Sequence, residues 1–311
     1  MSPVKKPHFL RGTENNSTGS IYIVVDQTLR PVIEAEINTF EAIYPDARIT
    51  ALYMPGEEAI QALLASDSIR MAIATRRLRA DEEAMLGAQD VRPKYAPIGK
   101  DGIVLVTHPD NPTRTLTLAQ LRDILTGRVQ RWDQLEGSSK QGNIVLVFDH
   151  ARSSTMQFLQ DSFLTGEPLR REGVYAQQST PDMMRYVADH PQALGVGGFA
   201  WVSDRDDPLA QELLAGVRIV GVERPDSAHA CAYDERFFGP YQSYLYQRCY
   251  PFTRTMNTIL RETFFGLGTG FVAYLDGPQG QRIIHKTGLT AIHGIPRVVR
   301  LPAKPGATPI R

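Results

Sequence analysis

Cysteine is scarce in this sequence, neither sign of charge is in excess, and no long apolar run occurs. Only Cys231 and Cys249 are present among 311 residues, too few for a disulfide scaffold or a Cys-rich zinc motif. One bridge in an oxidising compartment and two buried free thiols both fit that pair. Lys plus Arg total 34 and Asp plus Glu total 34, so no overall field gathers nucleic acid or an anionic membrane. Any anion preference must therefore be local. No run of ~18 apolar residues exists to span a bilayer as a helix. The start, MSPVKKPHFLRGTENNSTGS, carries Lys5 and Lys6 with no apolar segment behind them, so no signal peptide is visible. A cytoplasmic protein and a mature domain whose leader was replaced both accommodate this.

Enzyme signatures are also missing. There is no G-x-S-x-G, no H-E-x-x-H, no P-loop and no G-x-G-x-x-G after a strand. GLGTG at 266–270 has glycines at the wrong spacing for a nucleotide loop. Histidines at 8, 108, 150, 190, 229, 285 and 293 never fall at i, i+4 on a helical pattern, and no metal pair is expected. Cofactor and metal are both absent from the expectation.

What the chain does contain is alternation of two hydrophobic periods. GSIYIVVD (19–26) is a β-branched run, and apolar residues at 29, 32, 33, 37, 40 and 43 then follow a period near 3.6 up to Pro45. Strand-like ARITALYM (47–54) precedes helix-like 56–67, and IRMAIATR (69–76) precedes an acidic helix at 79–89. KYAPIGKDGIVLVTHP (94–109) is long enough to run from one lobe into another. The pattern resumes with a helix over 117–135 that breaks at Gly127, a strand at 143–149, a helix from Ser153, a strand at 173–178 and a helix at 179–191 capped by Ser179. A Gly-rich strand (193–202), a strand at 217–222, an irregular aromatic stretch (223–250), a returning strand from 250 to 260 and one closing helix over 268–289 complete it. Such alternation implies an α/β fold with mostly parallel, doubly wound sheet. Residues 1–18 read as a polar tail.

Hydroxyls load the strand-to-helix turns. Asp26-Gln-Thr28-Leu29-Arg30, Thr75-Arg76-Arg77, His150-Ala-Arg152-Ser153-Ser154-Thr155 and Gln177-Gln-Ser-Thr180 all sit there. In a doubly wound sheet these turns gather at the carboxyl edge of the strands, where helix N-termini offer unpaired N–H groups to a small anion. A single Ser or Thr is ordinarily a cap. Ser153-Ser154-Thr155 exceeds what one cap needs, and Arg152 adds a planar fork suited to an oxyanion. Arg76 and Arg77 also read as solvated charge, and Arg30 as a partner of Glu34 one turn on. Asp26, Asp149 and His150 are the acid–base candidates beside these turns. Cys231, Cys249, Trp201 and FFGPYQSYLYQRCYPF read as packing, with partner docking as the lesser option.

The order VDQTL, IRMAIATRRL, GKDGIVLVTHPDNP, LTLAQLRDILTGRVQRWDQL, ARSSTMQFL, ALGVGGFAWV, YPFTRTM and GFVAYLDGPQGQRIIHKTGL resembles the phosphate-binding proteins of phosphate ABC transporters. The likeness runs from about residue 19 to 290. It implies a periplasmic-binding-protein fold, two doubly wound α/β lobes joined by a two-strand hinge, with lobe I at 19–101 and 251–311 and lobe II at 102–250. It implies phosphate held by Thr28 and the Leu29 N–H, by Thr75 and Arg76, and by Ser153, Ser154 and Thr155, with Arg152 beside them. Two departures stand out: Arg76 replaces the family's proton-accepting Asp, and Ser154 replaces a Gly. An added cation in place of an acceptor would weaken selection of phosphate over sulfate. The expected protein is a monomeric, extracytoplasmic, periplasmic or lipid-anchored binding protein that does no bond chemistry and serves a membrane permease, with no nucleic acid partner. An anion-sensing regulatory subunit, or an enzyme on a phosphorylated or carboxylated small molecule, are the alternatives.

Overall fold

The computed structural model describes residues 14–136, 141–226, 228 and 231–293. Most of the expected tail lies outside the described residues, as do positions 294–311 of the expected lobe I. Residues 14–18 pack: Glu14 accepts from Arg70 Nη2 at 2.9 Å, and Asn15 and Thr18 form an isolated bridge.

The first half runs β1 (Gly19–Asp26), α1 (Arg30–Ile43), β2 (Ala47–Met54), α2 (Gly56–Ala65), β3 (Ile69–Ala74) and α3 (Ala80–Gly87). Strands β2, β1 and β3 are parallel neighbours, as right-handed strand–helix–strand crossovers require. The 14-residue β4 (Lys94–Thr107) then leaves this half. The second half contains β5 (Thr115–Leu116), α4 (Leu118–Thr126), β6 (Val145–Phe148), α5 (Ser154–Phe158), β7 (Val174–Ala176), α6 (Thr180–Asp189), β8 (Ala193–Gly198), α7 (Pro208–Gly216), β9 (Arg218–Ile219), β10 (Gly221–Glu223), β11 (Phe237–Phe238) and α8 (Gln242–Tyr246). The chain returns through β12 (Thr253–Leu260), α9 (Leu267–Asp276), α10 (Pro278–Lys286) and β13 (Thr290–Ala291).

The main sheet has the order β2-β1-β3-β12-β4-β8-β6-β7. Strand β4 pairs antiparallel with β12 through Lys94–Gly102 and with β8 through Ile103–Thr107. One strand thus belongs to both halves, and β12 is the second crossing. Apolar side chains of both halves, among them Ile23, Ile73, Leu105, Val147 and Val196, join in a contiguous core.

Local chemistry explains most boundaries. Thr117 accepts from the Gln120 N–H, the Gln120 side chain accepts from Thr117 N–H, and Gly127 ends α4 in the left-handed region at φ 85°. Ser179 and Asp207 cap α6 and α7, each with Pro in the first turn.

Several expectations need correction. The closing helix expected over 268–289 is two helices, because Pro278 has no N–H and its ring clashes with a continuing turn. Helix α5 widens after Phe158 into a π-helical segment, Leu159–Leu164. The strand expected over 193–202 ends at Gly198 and turns into a short 3-10 segment. Helix α7 is not among the expected elements, although Asp207-Pro208 is a cap followed by Pro at the first helical position. The aromatic stretch holds β11 and α8, and Cys231 and Cys249 are joined as a disulfide.

Candidate functional site

Strands β1, β3 and β6 each end at or just before a residue whose side chain takes part in a hydrogen-bonded turn: Asp26, Thr75 and Asp149. Asp26 closes β1 and is fully buried. Its Oδ1 accepts the Thr28 N–H at 3.0 Å and the Thr28 hydroxyl at 2.8 Å, which winds the turn 27–29 into a 3-10 segment. Thr75, just past β3, reaches Asp26 Oδ2 at 3.5 Å. Leu29 is a core side chain, so only its backbone faces the turn.

From the second half, Asp149 follows β6 and is fully buried. Its Oδ1 accepts from the Thr155 hydroxyl at 2.6 Å and the His150 N–H at 3.1 Å, and its Oδ2 accepts from the Thr180 hydroxyl at 3.1 Å. Ser153 caps α5, its Oγ accepting the Met156 N–H at 3.2 Å and lying 2.7 Å from Thr155 Oγ1. Because the Thr155 proton goes to Asp149, Ser153 is the donor in that last pair.

The link between the halves is Arg254, an inward-facing residue of β12 whose side chain is wholly buried. Its Nη2 pairs with Asp101 Oδ2 of β4 and reaches Thr28 Oγ1 at 3.4 Å, and its Nη1 donates to Ser154 Oγ at 2.8 Å. The Arg254 Nε–H has no hydrogen-bond partner among the described residues. Asp101 Oδ1 is taken by the Ala200 N–H at 3.1 Å. A lone buried guanidinium costs several kcal/mol, so Asp101 is what allows it there.

The halves touch closely. A Cβ on Gly198 would lie 2.8 Å from Thr28 Cβ, and one on Gly56 would lie 2.9 Å from Asp26 Oδ2 and 3.0 Å from Ser154 Cβ. Only glycine permits these approaches. Around the rim, Trp201 Nε1 donates to Gln27 O at 3.1 Å, Gln27 Nε2 donates to Gln178 O at 3.3 Å, and Arg152 pairs with Glu58 at 3.2 Å.

The structure therefore brings Thr28, Ser153, Ser154 and Thr155 into one buried cluster, with half-buried Thr75 at its edge and the Leu29 backbone beside it. It does not bring in Arg76 or Arg152. Arg76 is clamped by Glu82 at 2.7 and 2.8 Å and by Glu57 at 2.9 Å, which hold its guanidinium firmly charged but already paired. Arg152 is mostly exposed and spent on Glu58 at the rim. Of the acid–base candidates, Asp26 and Asp149 serve as acceptors for hydroxyls, and His150 Nδ1 accepts the Arg152 N–H at 3.1 Å.

Asp101 and Arg254 are the members that sequence reasoning missed. A signal existed: Asp101 stands directly before the apolar run Gly102–Val106, and Arg254 is the one charged residue of β12. The cluster is rich in negative charge, with Asp26, Asp101 and Asp149 around one guanidinium. Burial pushes the Asp101 and Asp149 carboxyls upward, while Arg254 pulls both back.

Hydroxyl-bearing turns of two α/β halves, gathered on one buried cation, make a candidate binding site between the halves. The chain belongs to the PBP superfamily domain family, whose profile matches residues 12–277. It is 24% identical over 280 residues to the phosphate-binding protein PstS of Bacillus subtilis, covering 87% of this chain and 80% of that protein. It is 20% identical over 185 residues to PstS of Staphylococcus epidermidis, 59% of this chain and 56% of that protein. The match thus spans little more than half of the latter's length. Among solved structures, a putative phosphate ABC transporter substrate-binding protein of Clostridium perfringens with bound phosphate superposes with a TM-score of 0.71 at 24% identity, covering 88% of this chain and 100% of that one. An ABC-type phosphate transport receptor of Vibrio cholerae gives 0.63 at 18% identity, covering 87% and 99%. These likenesses carry the fold.

Proposed function

We propose that this protein captures inorganic phosphate, or a closely related oxyanion, between its two lobes and delivers it to the permease of an ABC transporter. In this reading lobe I is 19–101 with 251–311 and lobe II is 102–250. The location is extracytoplasmic, and the role is binding without bond chemistry. One observation carries this: the fully buried Arg254 guanidinium contacts Thr28 of one half and Ser154 of the other. An anion seated there gains donors from both halves only when they close, so binding and closure are one event.

In this reading the anion meets the Arg254 Nε–H, the Ser154 hydroxyl, the Leu29 N–H and the hydroxyls of Thr28, Thr75, Ser153 and Thr155. Arg76 drops out, because two carboxylates already use its fork. With Arg76 withdrawn, the group beside Thr28 and Thr75 is the Asp26 carboxylate, an acceptor. An anion that brings its own O–H satisfies it, and one that brings none leaves two anions facing each other, which supports phosphate over sulfate. The names of the relatives in Bacillus and Clostridium support the same ligand.

Isothermal titration with phosphate, sulfate and molybdate tests this. Heat from phosphate with little or none from sulfate is expected. Absence of heat from all three ends the proposal.

A further inference from the structure

The hydroxyl protons that an oxyanion needs are already committed in the closed cluster. Thr155 and Thr180 donate to Asp149, and Ser153 donates to Thr155. Together with the His150 N–H, the Asp149 carboxylate holds its donors from two helices and its own turn. The charged groups that act on it are Arg254 from β12 and Asp26 from β1. Farther out, Glu57 and Glu58 of α2 are paired with Arg76 and Arg152. Asp149 is not matched by a cation of its own, since Arg254 is taken by Asp101.

An anion arriving at Ser154 and Arg254 would turn the Ser153 and Thr155 protons toward itself. That strips a buried carboxylate of donors while placing a second anion beside it, and both changes favour the neutral acid. We propose that Asp149 is a positioning residue that titrates with the ligand: the site takes up its oxyanion together with one proton, which bonds to an Asp149 carboxyl oxygen and frees the Ser153–Thr155 hydroxyl chain for the anion. The proton comes from solvent buffer, and anion release returns it. Burial of the carboxyl, which already raises its proton affinity, supports this direction. The proposal rests on the oxyanion reading above and adds a proton to it.

The test is titration of the full chain with inorganic phosphate from pH 5 to 9, at each pH in buffers of different ionisation enthalpy, for the wild type and for Asp149→Asn. The amide copies the neutral acid in shape and cannot titrate, and phosphate's own ionisation cancels between the two proteins. The wild type is expected to take up about one proton more than the variant, with affinity falling about tenfold per pH unit relative to it once Asp149 is ionised in the free protein. Equal proton counts in the two proteins overturn the inference and leave the oxyanion reading intact. No heat from phosphate in the wild type at any pH overturns both. Should Asp149→Asn fail to fold, carbon NMR of the aspartate carboxyls in the wild type decides the matter: an Asp149 signal that stays ionised on adding phosphate refutes the proposal.

Discussion

Glu36 offers a measurement whose size follows from the structure. It faces inward on α1, is wholly buried, and has neither carboxyl oxygen in a hydrogen bond among the described residues. Burial pushes its pKa from 4.5 to about 8. The folded protein therefore keeps a proton that the unfolded chain releases. Stability contributed by the neutral acid is fully present below pH 4.5 and is lost progressively as pH rises to about 8. Each pKa unit corresponds to about 1.4 kcal/mol, so the total loss is about 5 kcal/mol. Glu36→Gln keeps the shape and removes the titration. Urea unfolding from pH 4.5 to 8.5, followed by tryptophan fluorescence, should show the two proteins alike at the acid end. The variant should be ahead by about 5 kcal/mol at the alkaline end, or about 8 °C in melting temperature. A difference between them that stays within about 1 kcal/mol over the whole range would refute the burial argument.

Other outcomes follow from the cluster and its surroundings. Arg254→Met should cost about 3–5 kcal/mol by leaving Asp101 buried and unpaired, and adding Asp101→Asn should restore most of it without restoring anion binding; denaturation and calorimetry read the two effects separately. Arg152→Ala removes an exposed pair with Glu58 and should change stability by less than about 1 kcal/mol in urea unfolding. Gly198→Val drives side-chain atoms into Thr28, so small-angle scattering should show a protein that no longer compacts when phosphate is added. Removing the Cys231–Cys249 bridge by paired serine substitution should cost about 3 kcal/mol for a closed loop of 18 residues, measurable as a lower denaturation midpoint.

Much of the fold was readable because its causes are local. The strand runs at 19–26, 47–54 and 69–74 and the helices between them follow from side-chain period. The caps at Thr117 and Ser179 act within three residues of themselves. The start of α7 at Asp207-Pro208 and the break at Pro278 have local causes too, a side-chain cap and a missing N–H. The hydroxyl turns were found for the same local reason: they are helix starts.

Which cation lies among the hydroxyls is not legible in the sequence, because the partner of a charge is set by folding. Arg76 looks available until α2 and α3 bring Glu57 and Glu82 to it, and Arg152 until Glu58 meets it across the cleft. Arg254 reads as one polar residue in a strand, yet it pairs with Asp101, 153 positions earlier, and touches Ser154 and Thr28. By itself the sequence determined that strands and helices alternate and that hydroxyls cluster where helices begin, since period and capping act over a few residues. Only the tertiary structure decided which guanidinium is buried among those hydroxyls and which are spent elsewhere, because Coulomb energy depends on distance in space and on exclusion of water, and neither is written along the chain.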